Sequence, residues 1–413
     1  MLPEREQWNL HFQATSISQG HDEFTSPYSG TNSLPPREPI RTSYTATLFL
    51  GARLWAGSEV FVNPELAGGR GVGGVTGIAG FPNGDIARVS KPEPTVSMAR
   101  VFLRQTVGLG GEAEKVEPGP NQLAGARDLS RLTVTLGKIS VGDIFDGNAY
   151  SHDARTQFMN WGLFENGAWD YPADTRGYTW GGALELIEPR WALRYGLFAE
   201  PKTANGLQFD HNFSHAHGHV LEWEQRYSVG ERRGVARLLG YWNRAHMGSY
   251  RATLDTPAYG LDIARSRRYS DKYGFGVNVE QELTKELGAF ARLGWSDGQN
   301  ETWAFTEIDQ TASLGLSLKG AAWSRPADTF GVAGVINGLS KEHKDYLAAG
   351  GYGFIIGDGR LNYAPEEIIE VYYLLNVWKG ISITPDYQFV NHPAYNADRG
   401  PVHLWAIRFH AEF

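Results

Sequence analysis

The chain has 413 residues, with 50 Gly, 20 Phe, 19 Tyr, 13 Trp, no Cys and a formal charge of −8. The lack of Cys excludes disulfide scaffolds, Cys-ligated metal centres and thiol nucleophiles. A mean hydropathy of −0.37, with no run of about 18 apolar residues, excludes a membrane-spanning helix.

Segments of about ten residues that alternate apolar with polar side chains recur along the whole chain, as β-strands require. In residues 271–283, Tyr273 and Phe275 fall on one face, and Asn278 and Glu280 fall on the other. Counted in this way, the sequence predicts sixteen strands, at residues 8–19, 42–54, 57–63, 96–109, 130–140, 177–188, 190–200, 218–228, 233–243, 271–283, 287–297, 309–320, 327–337, 365–377, 380–390 and 401–413.

The predicted connections fall into two classes that alternate along the chain. Those after even-numbered strands are mostly tight turns, with 110–129 as a long exception. Those after odd-numbered strands are mostly long, at 20–41, 64–95, 141–176, 201–217, 244–270 and 338–364, with a shorter one at 391–400. An even strand number, both chain ends on the short-turn side and long loops opposite are typical of a bacterial outer-membrane barrel.

The sequence therefore predicts an all-β fold, a single domain over 1–413. It is a 16-stranded antiparallel transmembrane β-barrel with short periplasmic turns and long extracellular loops. A large soluble β protein is the alternative, but its outer face would be rich in Lys and Glu. Here the polar face is mainly Gly, Ser, Thr, Asn, Glu and Arg, and aromatic residues such as Trp223, Tyr241 and Trp295 lie near strand ends, as membrane girdles do.

The last strand ends in alternating apolar residues. An amphipathic strand that ends in an aromatic residue resembles the insertion signal of outer-membrane barrels. The residues of this predicted signal are Trp405, Ile407, Phe409 and Phe413.

Several motifs resemble the carbohydrate-selective porin family, OprB type, over essentially the whole chain. They include WNLHFQATSISQGH at 8–21, VGDIFDGNAYSHDARTQFMNW at 141–161, DYPADTRGYTWG at 170–181 and TPDYQFVNHPAYN at 384–396. The resemblance implies a Gram-negative outer-membrane porin through which sugars diffuse passively to the periplasm, without a cofactor or catalysis. It also implies that a signal peptide, which residues 1–5 do not resemble, is removed from the mature chain.

The third long loop, 141–176, is the predicted constriction, folded inward as in general porins. Its Asp and Arg side chains either bind solute hydroxyls or pair with each other to hold the loop, and its Trp side chains offer flat surfaces to a pyranose. The predicted pathway residues of this loop are Asp143, Asp146, Asn148, Asp153, Arg155, Asn160, Trp161, Trp169, Asp170, Asp174 and Arg176.

Strand parity assigns further residues to the wall of the lumen. If Ala99, Val101, Leu103 and Val107 face lipid, then the side chains between them face inward. Arg is favoured there because its planar fork of donors suits both carboxylates and vicinal hydroxyls, and 28 of the 38 basic residues are Arg. The predicted wall residues are Arg100, Arg104, Arg194, Glu222, Glu224 and Arg226, with Arg100, Arg104 and Arg155 as the preferred solute ligands.

Parity also predicts the effect of a new charge on β-strand 271–283. Arg at position 277 should impair insertion, whereas Arg at position 278 should be tolerated in the lumen. The apolar stretch at 354–356 is predicted to fold against the barrel mouth or lumen.

A few motifs invite other interpretations. His215, His217 and His219 alternate along one face, but we expect no physiological metal there, because the cluster has no Cys partner and sits at a loop. The Gly-rich pieces at 71–74 and 357–359 lack the strand-to-helix context of a nucleotide site.

Several other functions are alternatives to the sugar porin. Two are channels: a general or anion-selective porin, and a polysaccharide-secretion channel. An outer-membrane hydrolase is disfavoured, because the sequence shows no Ser with a supporting His and acid. A plugged receptor is disfavoured, because the predicted strands are too few for the large plugged barrels. The expected partners are sugars, outer-membrane lipids and the barrel-assembly machinery, and association with other copies of the chain is left open. The acidic balance argues against nucleic acid.

Overall fold

The alternating segments pair with their neighbours in sequence order and close into one antiparallel barrel of sixteen strands. The computed structural model describes residues 5–86 and 92–413. Eighteen strands are described: β1 Trp8–His21, β2 Arg41–Trp55, β3 Ser58–Gly69, β4 Thr95–Gly108, β5 Ala113–Val116, β6 Gly125–Asp128, β7 Arg131–Ile139, β8 Thr179–Ile187, β9 Trp191–Ala199, β10 His217–Val229, β11 Arg232–Met247, β12 Arg268–Glu282, β13 Leu287–Ser296, β14 Gln310–Gly320, β15 Arg325–Gly338, β16 Glu366–Trp378, β17 Ile381–Asn391 and β18 Val402–Glu412.

The barrel closes where its first strand meets its last. β1 pairs with β18 in the register Gln13↔Glu412 and Ser18↔Ile407, and β4 pairs directly with β7. β5 and β6 form a separate hairpin between those two strands. The predicted number of sixteen barrel strands is confirmed, because β5 and β6 form a sheet of their own and are not part of the barrel sheet.

The two faces of the strands differ as the alternation predicts. On β12, Tyr273 and Phe275 are exposed on the outer surface, whereas Lys272, Asn278 and Glu280 are buried toward the inside. On the last strand the outward stripe is likewise exposed, and it consists of Trp405, Ile407 and Phe409. An apolar outer surface and a polar inner one are what a lipid-embedded barrel requires.

One parity assignment is wrong because of a β-bulge. The pairing of β3 with β4 shifts register between Asn63 and Pro64, where Pro64 cannot donate to the ladder. Ala99, predicted to face lipid, is fully buried at this shift, whereas Val96 and Met98 before it are exposed. The bulge also explains why β3 continues to Gly69 when the predicted alternation stops at 63.

Helices are few and short, and they lie in the loops. The α-helices are α1 Trp161–Phe164, α2 Tyr250–Leu254 and α3 Lys341–Ala348, and the 3₁₀ turns are Val72–Gly74, Val141–Asp143, Pro257–Tyr259, Ile263–Ser266, Ala321–Trp323 and Pro393–Tyr395. No helix within the described ranges is long and apolar enough to cross a membrane.

The apolar stretch at 354–356 packs inward, as predicted. Ile355 and Ile356 are fully buried, and their backbone N–H groups donate to the Glu307 carboxylate at 2.9 and 2.8 Å. The connection between β15 and β16 is thereby attached to the connection between β13 and β14 at the barrel mouth.

Candidate functional site in the barrel lumen

The connection between β7 and β8, residues 140–178 and called the third loop below, lies inside the barrel. Its Asp146 is almost fully buried and pairs with Arg292 of β13, with 3.0 Å between Oδ2 and Nε. Asn278 of β12 donates to Oδ1 of the same carboxylate at 2.7 Å. The tolerance of Arg at position 278 stays a prediction for insertion, but such a variant should disturb the third loop, because the Asn278 amide is one of its tethers.

A second set of tethers comes from the last strands. Glu370 of β16 accepts the backbone N–H groups of Met159 and Asn160, at 2.5 and 2.9 Å. Arg408 of β18 donates to the carbonyl oxygens of Ala154 and Gln157, at 2.7 and 2.8 Å. Both side chains are fully buried, so the loop is attached to the wall from β12 to β18.

Two cavities lie beside the opposite wall, from β3 to β9. An outer cavity of about 170 Å³ lies between the third loop and residues of β3 and β4 such as Glu65 and Arg100. An inner cavity of about 580 Å³ lies below it, beside Arg104 of β4 and Arg194 of β9. Asp143 and His152 line both cavities, so the narrow point between the two cavities lies at these two side chains.

One side of the outer cavity is aromatic. Trp161 stacks on Phe81 with 5.1 Å between ring centroids, and its ring lies 4.4 Å from that of Phe305. Tyr171 stacks on Phe305 at 5.2 Å. The third loop, Phe81 of the connection between β3 and β4, and Phe305 of the connection between β13 and β14 therefore build one aromatic surface. Such a surface suits the C–H face of a solute.

The other side of the outer cavity is charged, but most of its charges are paired. Arg100 binds Asp143 through two hydrogen bonds of 2.6 Å. Arg155 donates to Asp85 at 2.6 Å and to Glu65 at 3.2 Å. These two arginines, predicted as solute ligands, are thus largely neutralised by neighbouring carboxylates.

Arg176 differs from them. It lines the outer cavity, and within the described residues its buried Nη1 has no hydrogen-bond partner. The buried Nε1 of Trp161 and Oε2 of Glu165 likewise have no hydrogen-bond partner among the described residues, and both residues line the same cavity. Polar groups that are buried without a partner are costly, and a hydroxyl-bearing solute could pair with them.

The carboxyl group of Glu165 lies close to the narrow point, with 3.8 Å between its Oε1 and Nδ1 of His152. Burial and the negative charge of Asp146 raise the pKa of Glu165 well above its usual range, although the charge of Arg292 opposes this. Burial and the charge of Arg292 lower the pKa of His152. Both groups are therefore favoured in their neutral forms.

We expect the stability of the folded barrel to fall as the pH rises above the usual pKa of Glu, about 4.3. Between that value and the raised pKa, folded Glu165 holds a proton that the unfolded chain releases, so stability is lost with rising pH. Thermal unfolding midpoints measured against pH should show this slope. Glu165→Gln should reduce it, whereas Asp255→Asn, which changes an exposed carboxylate, should not. An unchanged slope in Glu165→Gln would contradict the assignment.

The predicted pathway residues separate into two groups. Some line the two cavities, namely Arg100, Arg104, Asp143, Asp153, Arg155, Trp161, Arg176 and Arg194. The others lie outside both linings and mostly hold the loop or pair along the wall, namely Asp146, Asn148, Asn160, Trp169, Asp170, Asp174, Glu222, Glu224 and Arg226.

Several lining residues are absent from the sequence-based set. They are Glu65, Asp85, His152, Tyr178 and Phe305. His152 and Tyr178 belong to the third loop, whereas Glu65 lies on β3 and Asp85 and Phe305 lie in other connections. No spacing in the sequence links these last three residues to the third loop. Only the acidic and aromatic character of the 141–176 stretch itself could have drawn attention to His152.

The His cluster lies on the outer surface of the barrel. His219 stacks on Trp242 at 4.9 Å and its Nδ1 lies 2.7 Å from the hydroxyl of Tyr195. His217 contacts the same Trp242. These rings form part of the aromatic surface around the barrel and are remote from the two cavities.

The chain is similar to known porins in sequence. The model of the family described as "Carbohydrate-selective porin, OprB family" matches residues 41–413. A curated relative, Porin AaxA of Chlamydia abortus, is 23% identical over 283 residues, which are 67% of this chain and 53% of that protein. The chain thus spans about half the length of the curated relatives it matches.

Solved structures are similar in fold. The high-pH structure of Pseudomonas putida OprB matches with a TM-score of 0.73 and 16% identity, covering 98% of this chain and 94% of that one. The outer membrane channel DcaP of Acinetobacter baumannii matches with a TM-score of 0.52 and 8% identity, and each chain is fully covered. At these identities the likeness concerns the barrel alone.

Proposed function

Since the chain belongs to the OprB family of carbohydrate-selective porins, we propose that it is a passive channel that prefers carbohydrates. It lies in the outer membrane of a Gram-negative bacterium. Mono- or oligosaccharides would diffuse down their gradient from outside to the periplasm. Porins are channels and not enzymes, so the functional residues are those that set the width, charge and hydrogen bonding of the path.

The observation that carries this proposal is the outer cavity, which joins an aromatic surface to a polar one. Trp161, Tyr171 and Phe305 form its aromatic side, where the rings pack on one another and only a small part of each residue, 2%, 4% and 7%, is exposed. Across the same cavity, Arg176 offers donors, and Asp153 is a further polar group in the lining. A pyranose has apolar C–H faces and a rim of hydroxyls, so both walls can contact it at once.

The charges near the path favour a neutral solute. Arg100 and Arg155 are each paired with carboxylates, and Arg194 of the inner cavity is paired with Glu185, Glu222 and Glu224. Such pairs present hydrogen-bonding groups with little net field. Arg104 and Arg176 have no carboxylate within salt-bridge distance among the described residues, and this favours a second candidate, a general or anion-selective porin.

Single-channel recording in planar bilayers tests the choice between these two functions. We expect defined current steps that millimolar glucose partly blocks, because a bound sugar displaces ions from the narrow point. Steps that carry mainly small anions and show no effect of sugar would overturn the carbohydrate preference and support the second candidate.

Replacing Arg176 with methionine should weaken sugar block while preserving the current steps. A hydrogen bond to a charged group contributes about 1.5–3 kcal/mol, which corresponds to an increase of about tenfold or more in the sugar concentration for half block. Arg265→Met, which removes an exposed loop arginine, is the matched control. Equal block in both variants would show that Arg176 does not contact the sugar.

A further inference from the structure

The connection between β4 and β7, residues 109–130, departs from the short periplasmic turns elsewhere in the barrel. β5 and β6 pair as a hairpin there, and the segment between them, 117–124, is called the tip below. Leu123 and Ala124 are only 2% and 5% exposed. The tip therefore folds into the barrel and does not project into the periplasm.

Three barrel strands hold the tip in place. Asn63 of β3 donates from its amide to Oδ1 of Asn121 at 2.8 Å, and Arg104 of β4 donates to the backbone oxygen of Asn121 at 2.9 Å. Asn9 of β1 donates to the backbone oxygen of Gln122 at 2.8 Å. These donors are inward-facing side chains, so the tip reaches into the lumen from below.

The backbone of the tip is stiff. Gly119 and Gln122 exchange two backbone hydrogen bonds, of 3.1 and 3.0 Å, across a four-residue turn. Pro120 restricts the second position of this turn, and Asn121 adopts a φ of 54° at the third, which Asn tolerates better than most residues. Pro118, which directly precedes the turn, also has its φ angle fixed by its ring. A stiff turn suits a permanent obstacle better than a mobile lid.

The tip stands between two cavities. Arg104, Thr106, Gln122 and Arg127 line the inner cavity and also a cavity of about 620 Å³ at the periplasmic end of the barrel. Along β4, inward residues of increasing number line first the outer cavity, then the inner cavity and then the periplasmic one. The three cavities thus lie in series, and the tip marks their second boundary.

We propose that the 117–124 tip is a second, fixed constriction that selects solutes by size and hydrogen bonding at the periplasmic exit. The inference rests on the proposed function, in which solute passes through the three cavities along β4. It adds a second narrow point on the periplasmic side of the one at Asp143 and His152. The inner cavity becomes a chamber between two narrow points. A polyhydroxylated solute must meet Arg104 and Gln122 before it leaves.

The absence of Cys from the chain allows a direct test by single-cysteine labelling. Gln122→Cys places a thiol at the second boundary, His152→Cys places one at the first, and Lys115→Cys places one on the exposed side of the same hairpin. Each refolded variant is recorded in planar bilayers before and after reaction with a small and then a bulky thiol reagent. Mass spectrometry of each labelled protein verifies that the reaction is complete.

Labelling at Gln122 should lower the conductance by roughly twofold with the small reagent and more with the bulky one, because it narrows the path. Labelling at Lys115 should leave it unchanged. A fall with His152→Cys but none with Gln122→Cys overturns the second constriction and leaves the proposed path intact. No fall at either position overturns the path itself.

Discussion

Replacing Arg292 with methionine is expected to lower the free energy of unfolding by about 3–5 kcal/mol, because it leaves the Asp146 carboxylate buried without its cation. Arg292 also donates to the backbone oxygens of Leu163 and Ser151, at 2.8 and 2.6 Å. The third loop thereby loses several tethers at once. Urea titration of the barrel refolded into lipid vesicles measures the free energy, and larger, noisier single-channel currents report the released loop.

The matched control is Arg244→Met. Arg244 pairs with Asp271 at 2.9 Å on the outer surface, where both side chains are partly exposed. An exposed pair contributes about 0–1 kcal/mol, so this variant should unfold nearly as the parent does and conduct with the same steps. If the two variants were equally stable, the Arg292–Asp146 pair would not be a tether of the loop.

The tethers fix the position of the third loop inside the lumen. Arg292, Glu370 and Arg408 all attach it to the wall from β12 to β18. The outer and inner cavities lie along β3, β4 and β9, and a further cavity of about 570 Å³ lies between the loop and the strands from β12 to β16. Arginine therefore has two positions in the lumen: Arg292 and Arg408 hold the loop, while Arg100, Arg155 and Arg176 line the outer cavity.

The barrel could be predicted from the sequence because its signal is local. Alternation over ten residues, as in β12, depends only on which side chains face lipid and which face inward. Prediction failed where a bulge intervened, since one extra residue reverses the parity of the side chains beside it. Ala99 is such a case, and the early end predicted for β3 is another.

The site was only partly predictable, because its contacts join segments distant in sequence. The composition of the 141–176 stretch indicated a constriction, but nothing in it distinguishes the buried Asp146 from the cavity-lining Asp153. That distinction comes from Arg292, which is 146 positions from Asp146. Glu65, Asp85 and Phe305 enter the outer cavity from three separate segments in the same way.

Arg in place of Val277 tests the lipid-facing assignment. Val277 lies on the outer face of β12 between Leu238 of β11 and Leu293 of β13. A charged side chain near the middle of the bilayer costs about 2–4 kcal/mol in a barrel, so Val277→Arg should lower the stability of the inserted state by that amount. Urea titration in lipid vesicles, followed by the mobility shift between folded and unfolded barrel, measures the loss.

Tyr273→Arg is the control, because Tyr273 lies on the same face of the same strand but nearer its extracellular end. Close to the membrane interface the cost of Arg falls to about 0–1 kcal/mol. A larger loss at Val277 than at Tyr273 would therefore report depth in the bilayer and not merely the loss of an apolar side chain. Equal losses at the two positions would contradict the placement of Val277 near the bilayer centre, and no loss at either would contradict a lipid-facing surface for β12.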